Sequence, residues 1–303
     1  MSITKCLIIT HGFFGDIAFA SSIAKKLKDE NQFNQVDYLI GFPQMERLLQ
    51  NNPFIDSVYI SEIPSPVPIN NSIDYGSYDK VVKLTQLSFT EPPPYEFQKF
   101  AGVNNPDTEY RIYTEPEYDL IAKQSIEEFY SNGKKTIAFL SNWESKSYLF
   151  TEEEYQRGID VPNLGYGGKH RNVKEILDGL KLHFNLIEIG MPDNISQHQT
   201  SQLADNDQKS ILFECSLMKY CDAFIGAEGG MCNLAAGIGT PTIITGDFVH
   251  QLYGWNGVIK RIQEPKLGPK YYFKDIAHVT LNPYIKDKEV IEEIIERLYN
   301  DNR

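Results

Sequence analysis

Residues 223–245, AFIGAEGGMCNLAAGIGTPTIIT, carry the groups best able to hold a diphosphate. An apolar run ends at one acid, Glu228. Gly229 and Gly230 follow, then a short helical pattern containing Met231 and Asn233, then Gly-Ile-Gly-Thr-Pro and a β-branched run. The pattern reads as strand, tight turn, helix, strand. Free amides and the helix dipole at such a turn favour phosphate. Two glycines let the backbone approach a ligand closely. Glu228 falls at the carboxyl end of the strand, where open α/β sheets place their ligands. Two blander readings compete. One charge in a stretch of this length raises a membrane span, against which its glycines, proline and asparagine argue. The other is an ordinary buried βαβ unit.

Three further clusters carry candidate chemistry. His11-Gly-Phe-Phe-Gly15-Asp16 follows the first apolar run. Asp16 at a helix N-terminus could accept a proton from a hydroxyl as general base, and His11 could serve the same role; Asp is also a favoured helix N-cap, which alone explains it. Ser141-Asn-Trp143-Glu-Ser-Lys146 offers a lysine for charge-assisted bonds to phosphate and an indole that could stack on a base. Gly167-Gly-Lys169-His170-Arg171 forms a basic loop end but lacks the Ser or Thr after Lys that a P-loop requires. Gly15, Lys169, His170 and Arg171 are therefore candidates for phosphate or acceptor contact. HExxH, GxSxG and a GxGxxG after the first strand are absent, so metalloprotease, serine hydrolase and simple dehydrogenase readings lack their motifs.

Strands and helices must bring these clusters together. Strands are expected at 5–10, 36–41, 57–60, 78–84, 135–140, 186–190, 223–227 and 242–245. Helices are expected at 16–28, 43–50, about 94–101, 115–131, 172–182, 210–220, 231–237 and 287–300. The alternation predicts parallel sheets covered on both faces. At 303 residues the chain suggests two domains, and the Asn132-Gly133 break puts the boundary near 132. A net charge of −12 speaks against a chain built to grip nucleic acid, though a local basic pocket for a phosphorylated small molecule fits within it. Four cysteines without a CxxC pair predict reduced structural thiols and a cytoplasmic protein. Neither a signal peptide nor a spanning helix is expected.

Gly15-Asp16-Ile17 and its helix resemble the N-terminal signature of glycosyltransferase family 9, the heptosyltransferase-like enzymes. Residues 213–241 resemble that family's second signature, and Asn52-Pro-Phe-Ile-Asp56 is similar to its segment after the second helix; residues 61–115 match poorly. The resemblance implies a GT-B fold, two Rossmann-like domains facing across a cleft: an acceptor domain at 1–132, rejoined by the helix at 287–303, and a donor domain at 133–286. It implies Asp16 as catalytic base, Lys146 on donor phosphate, and Glu228, Gly230 and Met231 in the donor turn. Two departures stand out: Glu228 where the family often has Asp, and Asn233 where it often has His. Glu228 could instead reach a ribose hydroxyl pair. The expected activity is inverting, metal-independent transfer of a sugar from a nucleoside-diphosphate sugar to an acceptor hydroxyl of a glycan or glycoconjugate. No cofactor is expected, since the nucleotide-sugar is the substrate. Alternatives are a nucleotide-sugar 2-epimerase, a non-catalytic nucleotide-sugar binder, and sugar transfer to a modified DNA base.

Overall fold

The computed structural model describes residues 4–10, 12, 14–65, 67–84, 93–140, 173–189, 211–226, 229–244, 278–280 and 286–300. Two sheets organise them. The first contains β1 (Lys5–Thr10), β2 (Gln35–Ile40), β3 (Ser57–Ile60) and β4 (Lys80–Leu84) in the order β3-β2-β1-β4. The second contains β5 (Thr136–Phe139), β6 (Asn185–Glu188), β7 (Ala223–Gly226), β8 (Thr242–Ile244) and β9 (His278–Thr280) in the order β6-β5-β7-β8-β9. Every pairing is parallel. Central strands such as β1 (KCLIIT) and β7 (AFIG) are buried along almost their whole length, as strands covered on both faces must be. Strand order reverses between β1 and β4 in one sheet and between β5 and β7 in the other. Open α/β sheets bind ligands beyond the carboxyl ends of strands at such reversals.

The helices are α1 (Phe14–Ala20), α2 (Ser22–Asp29), α3 (Glu46–Gln50), α4 (Pro93–Phe100), α5 (Pro116–Phe129), α6 (Val173–Lys181), α7 (Ile211–Lys219), α8 (Gly230–Ile238) and α9 (Asp287–Asn300). The single helix expected over 16–28 is two. Ser21 Oγ lies 2.6 Å from the Ala18 carbonyl and Ser22 Oγ donates to the Phe19 carbonyl at 2.8 Å. Serines that bond back onto the preceding turn bend a helix. Apolar periodicity carries no trace of this, because Ile17, Ala20, Ile23, Ala24 and Leu27 stay buried through the bend.

One apolar core crosses between the lobes. It runs from Ile8 and Tyr38 of the first sheet through Ile17 and Ala20 of α1 to Leu234 and Ala235 of α8 and Phe224 of β7. Helix α5 packs on α7 of the second lobe: Tyr118 meets Phe213 edge-on at 5.9 Å, and Asp119 takes bonds from Ser216 Oγ at 2.9 Å and Lys219 Nζ at 2.5 Å. An extended strap at 103–115 joins α4 to α5. The Asn132-Gly133 break marks the end of α5.

Helix α9 packs on the second lobe. Val290, Ile294 and Leu298 join Ile137, Phe139, Ile176 and Leu180 in one buried cluster. Lys135 Nζ bonds the Leu298 carbonyl, and Tyr299 Oη donates to the His183 carbonyl at 2.9 Å. The apolar stripe of α9 was legible, but a stripe does not name the surface that covers it.

Candidate functional site

The βα turns at the two strand-order reversals face each other. Helix α1 follows β1, and α8 follows β7. A Cβ built on Gly15 would lie 2.2 Å from Asn233 Nδ2 and 3.7 Å from Gly230 Cα. One built on Gly230 would lie 3.2 Å from Phe14 Cβ and 3.6 Å from the Gly15 nitrogen. The first turns of two helices, one from each lobe, therefore meet with no room for a methyl between them. Both present the positive end of a dipole.

Asp16 is the third residue of α1, not its N-cap. Its carboxylate folds back over the preceding loop: a Cβ on Gly12 would lie 2.1 Å from Asp16 Oδ2, and Gly12 holds φ +102°. A side chain reaching from the third helical position to the residues before the helix is the reciprocal half of a capping box. The loop thus fixes the direction of the carboxylate. The acid is half-buried at the carboxyl end of β1, beside the inter-lobe contact.

On the other wall, Gly229 precedes α8 in fully extended conformation, φ 169° and ψ −172°. A Cβ there would meet no described atom within 4 Å. Gly229 thus has no described atom close to where its Cβ would stand, whereas Gly230 faces Phe14 and Gly15. Met231 is half-buried against the shared core. Asn233 is buried with its amide on Gly15, and its main-chain oxygen accepts from Tyr110 Oη at 2.8 Å. Burial, with the Cys232 thiol beside it, holds the Tyr110 phenol well above its ordinary pKa, so it stays a donor. Two buried oxygens at this junction, Thr10 Oγ1 at the end of β1 and Asn233 Oδ1, have no hydrogen-bond partner among the described residues. Buried polar atoms are rarely left so, and a polar guest would satisfy them.

Of the expected site residues, Gly15, Asp16, Gly229, Gly230, Met231 and Asn233 converge here. His11, Trp143, Lys146, Lys169, His170, Arg171 and Glu228 lie outside the described residues. Thr10 and Tyr110 were not anticipated. Thr10 closes an apolar strand just before the glycine loop, a position that could have marked it; Tyr110 sits in a segment that reads only as loop. Among the described residues there is no cluster of three or more His, Cys, Asp or Glu able to hold a metal, and no helix long and apolar enough to cross a membrane. All four cysteines are free and buried.

No protein-family model matches the sequence, and no curated protein matches it. Solved structures do match. The E. coli ADP-heptose lipopolysaccharide heptosyltransferase II aligns over 99% of this chain and 100% of its own, with a TM-score of 0.58 at 11% identity. A glycosyltransferase family 9 protein from Veillonella parvula aligns over 99% of both chains, with a TM-score of 0.59 at 12% identity. The dodecameric iron-containing heptosyltransferase TibC, solved with ADP-D-β-D-heptose, covers 80% of this chain and 58% of its own, with a TM-score of 0.51 at 10% identity. The chain has the heptosyltransferase fold. The two-lobed GT-B architecture expected from the sequence is the one observed, with parallel sheets in both lobes.

Proposed function

We propose that the protein is a glycosyltransferase that takes a sugar from a nucleoside-diphosphate sugar. One observation carries the reading: the first turns of α1 and α8 meet at Gly15 and Gly230, at the strand-order reversals of both sheets, in a chain with the heptosyltransferase fold. The α8 turn offers amides to the diphosphate beside Gly229, and the α1 turn offers the carboxylate of Asp16 to an acceptor alcohol. Asp16 removes the hydroxyl proton as the oxygen attacks the anomeric carbon. The bond from that carbon to the diphosphate oxygen breaks, the configuration inverts, and the nucleoside diphosphate leaves. Preorganised amides, with Lys146, stabilise the departing charge without a metal. Glu228 reaches a ribose hydroxyl pair, and the transfer takes place in the cytoplasm. The acceptor is a glycan or glycoconjugate hydroxyl.

The test is release of free nucleoside diphosphate from ADP-, UDP-, GDP- and CDP-sugars with hydroxyl acceptors, in the presence of a chelator. Asp16→Ala should abolish turnover while donor binding, read by calorimetry, survives. Full turnover in that variant would remove Asp16 from its role, and loss of turnover with the chelator would remove metal independence. A second reading, nucleotide-sugar binding without transfer, has one observation in its favour: the Asp16 carboxylate lies close over Gly12 rather than extending from the helix. Donor affinity with no turnover across the acceptor panel would select it.

A further inference from the structure

A cavity of about 330 Å³ opens between α2, the turn after α3 and the inter-lobe strap; Tyr110, whose hydroxyl bonds the Asn233 carbonyl, is part of its lining. Ser21 to Lys26 line it, six to eleven residues beyond Gly15, so it lies on the order of 10 Å or more down the α1–α2 axis. The strap supplies the opposite wall by strand-like alternation. Tyr110 and Ile112 are buried against α8: Tyr110 Oη bonds the Asn233 carbonyl at 2.8 Å and the Ile112 amide bonds the Gly237 carbonyl at 2.9 Å. Glu109, Arg111 and Tyr113 consequently point the other way, into the cavity.

The lining is cationic in an acidic protein. Lys25, Lys26 and Arg111 line it with one carboxylate, Glu109, while Asp29 and Asp107 stand beside the lining as partners of the two lysines, in a chain of net charge −12. Lys25 is paired with Asp29 and lies 5.2 Å above the Phe54 ring; Lys26 is paired with Asp107. Neither pairing exhausts its ammonium, which has three N–H donors, and such solvent-accessible pairs hold their partners weakly. Burial raises the Tyr113 phenol, Lys25 and Arg111 pull it back down and Asp29 pushes it up, so both cations and the Asp29 carboxylate act on the same hydroxyl. The floor is polar and rigid: Asn52 Nδ2 donates to the Ser21 carbonyl at 3.0 Å, and Ser21 Oγ sits 3.1 Å from the Arg111 carbonyl. The volume is at the small end of the range of ligand pockets, roughly 300–1,000 Å³, and exceeds what a lone phosphate fills.

We propose that this cavity binds a phosphate monoester of monosaccharide size, its phosphoryl oxygens on Lys25, Lys26 and Arg111 and its hydroxyls on Glu109 and Ser21. The site shares Tyr110 with the crevice but none of the residues assigned to the transfer, and it does not depend on the activity assigned there. Calorimetry with glucose 6-phosphate, inorganic phosphate and glucose tests it. Glucose 6-phosphate should bind at least tenfold tighter than either component alone. Arg111→Gln and Lys25→Ala alter exposed side chains and should keep the native circular dichroism spectrum while weakening binding about tenfold each, the usual order for a lost bond to a charged group. Asp16→Ala should leave this binding unchanged, and amide exchange at 109–113 should slow on adding the ligand. Absence of binding at millimolar ligand, equal binding of phosphate alone, binding indifferent to Arg111 and Lys25, or binding lost with Asp16 would each overturn the proposal.

Discussion

Gly237→Ala separates what the sequence recommends from what the structure permits. Gly237 lies in the last turn of α8, where replacing glycine with alanine gains up to about 1 kcal/mol of helix propensity. In the fold, its Cβ would lie 2.7 Å from Ile112 Cγ1, 2.9 Å from Tyr110 Cε2 and 3.3 Å from Tyr110 Cδ2. Ordinary contacts of this kind are about 4 Å, so the strap must retreat by roughly 1 Å. Both neighbours are buried, Tyr110 at 1% and Ile112 at 6% exposure, and both are tied to α8 by hydrogen bonds. Overpacking of this sort costs about 1–3 kcal/mol, and a weakened Ile112 amide bond to the Gly237 carbonyl adds about 1 kcal/mol. The expected balance is a loss of about 1–3 kcal/mol, read as a lower denaturant midpoint with faster exchange of the Ile112 amide. Ile112→Ala alone should cost about 2–4 kcal/mol, and measurably less when Gly237 is already alanine, because the two changes relieve each other. A Gly237→Ala protein as stable as the parent, or an additive double variant, would refute the close approach of strap and helix.

The cysteines should be silent in the native protein. Burial, opposed by Lys80 and assisted by Asp37, pushes the Cys6 thiol up to about 12, and burial raises Cys215 and Cys221 as well. A chromogenic disulfide reagent at pH 8 should titrate none of the four before unfolding and all four after it; prompt reaction of any native thiol contradicts the packing. The start of the strap should be sensitive to acid. Some burial raises Glu30, but bonds from the Asn104 and Asn105 amides and from Gln32 outweigh it and hold the carboxyl below its ordinary value. Its contribution is therefore complete above the unfolded pKa and is lost as pH falls through the lower native one. Glu30→Gln should flatten the acid limb of amide protection at 103–105, and an unchanged limb would show that Glu30 does not anchor the strap.

Much of the fold was legible because its signals are local. Eight of the nine described strands and the longer helices follow from apolar runs and from a 3.6-residue period that any single window displays; β9, three residues at His278–Thr280, was not anticipated. What escaped depends on partners distant in sequence. The partner of α5 is α7, about a hundred residues away, and no local pattern in either helix announces that contact. The apolar stripe of α9 was plain, but the lobe it covers was not. The strap itself, EYRIY at 109–113, alternates polar and apolar like a strand yet pairs with a helix, and no local pattern distinguishes that from a loop. At the crevice, residue type was legible and role was not. Asp16 reads equally as base and as cap, and the fold puts it in the reciprocal position of a capping box.

The glycines of the crevice show the same ambiguity, and they can be separated experimentally. A glycine pair at a helix start suggests close approach of a ligand at both positions. Here the two serve different surfaces. Gly230 is glycine because α1 lies against it, Phe14 Cβ being 3.2 Å from where its own would stand; Gly229 has an extended backbone open to any residue and no described atom within 4 Å of a Cβ. Gly229→Ala should therefore keep its stability within about 0.5 kcal/mol, since the small loss of N-cap preference is offset by reduced freedom in the unfolded chain. Gly230→Ala should disturb the lobe contact and lower the midpoint of unfolding. If the α8 amides receive a diphosphate, the methyl at 229 stands in its path, and donor affinity measured by calorimetry should fall tenfold or more in a protein that is otherwise native. Undiminished donor affinity in Gly229→Ala would mean that the diphosphate does not lie against this turn, whatever the fold of its relatives.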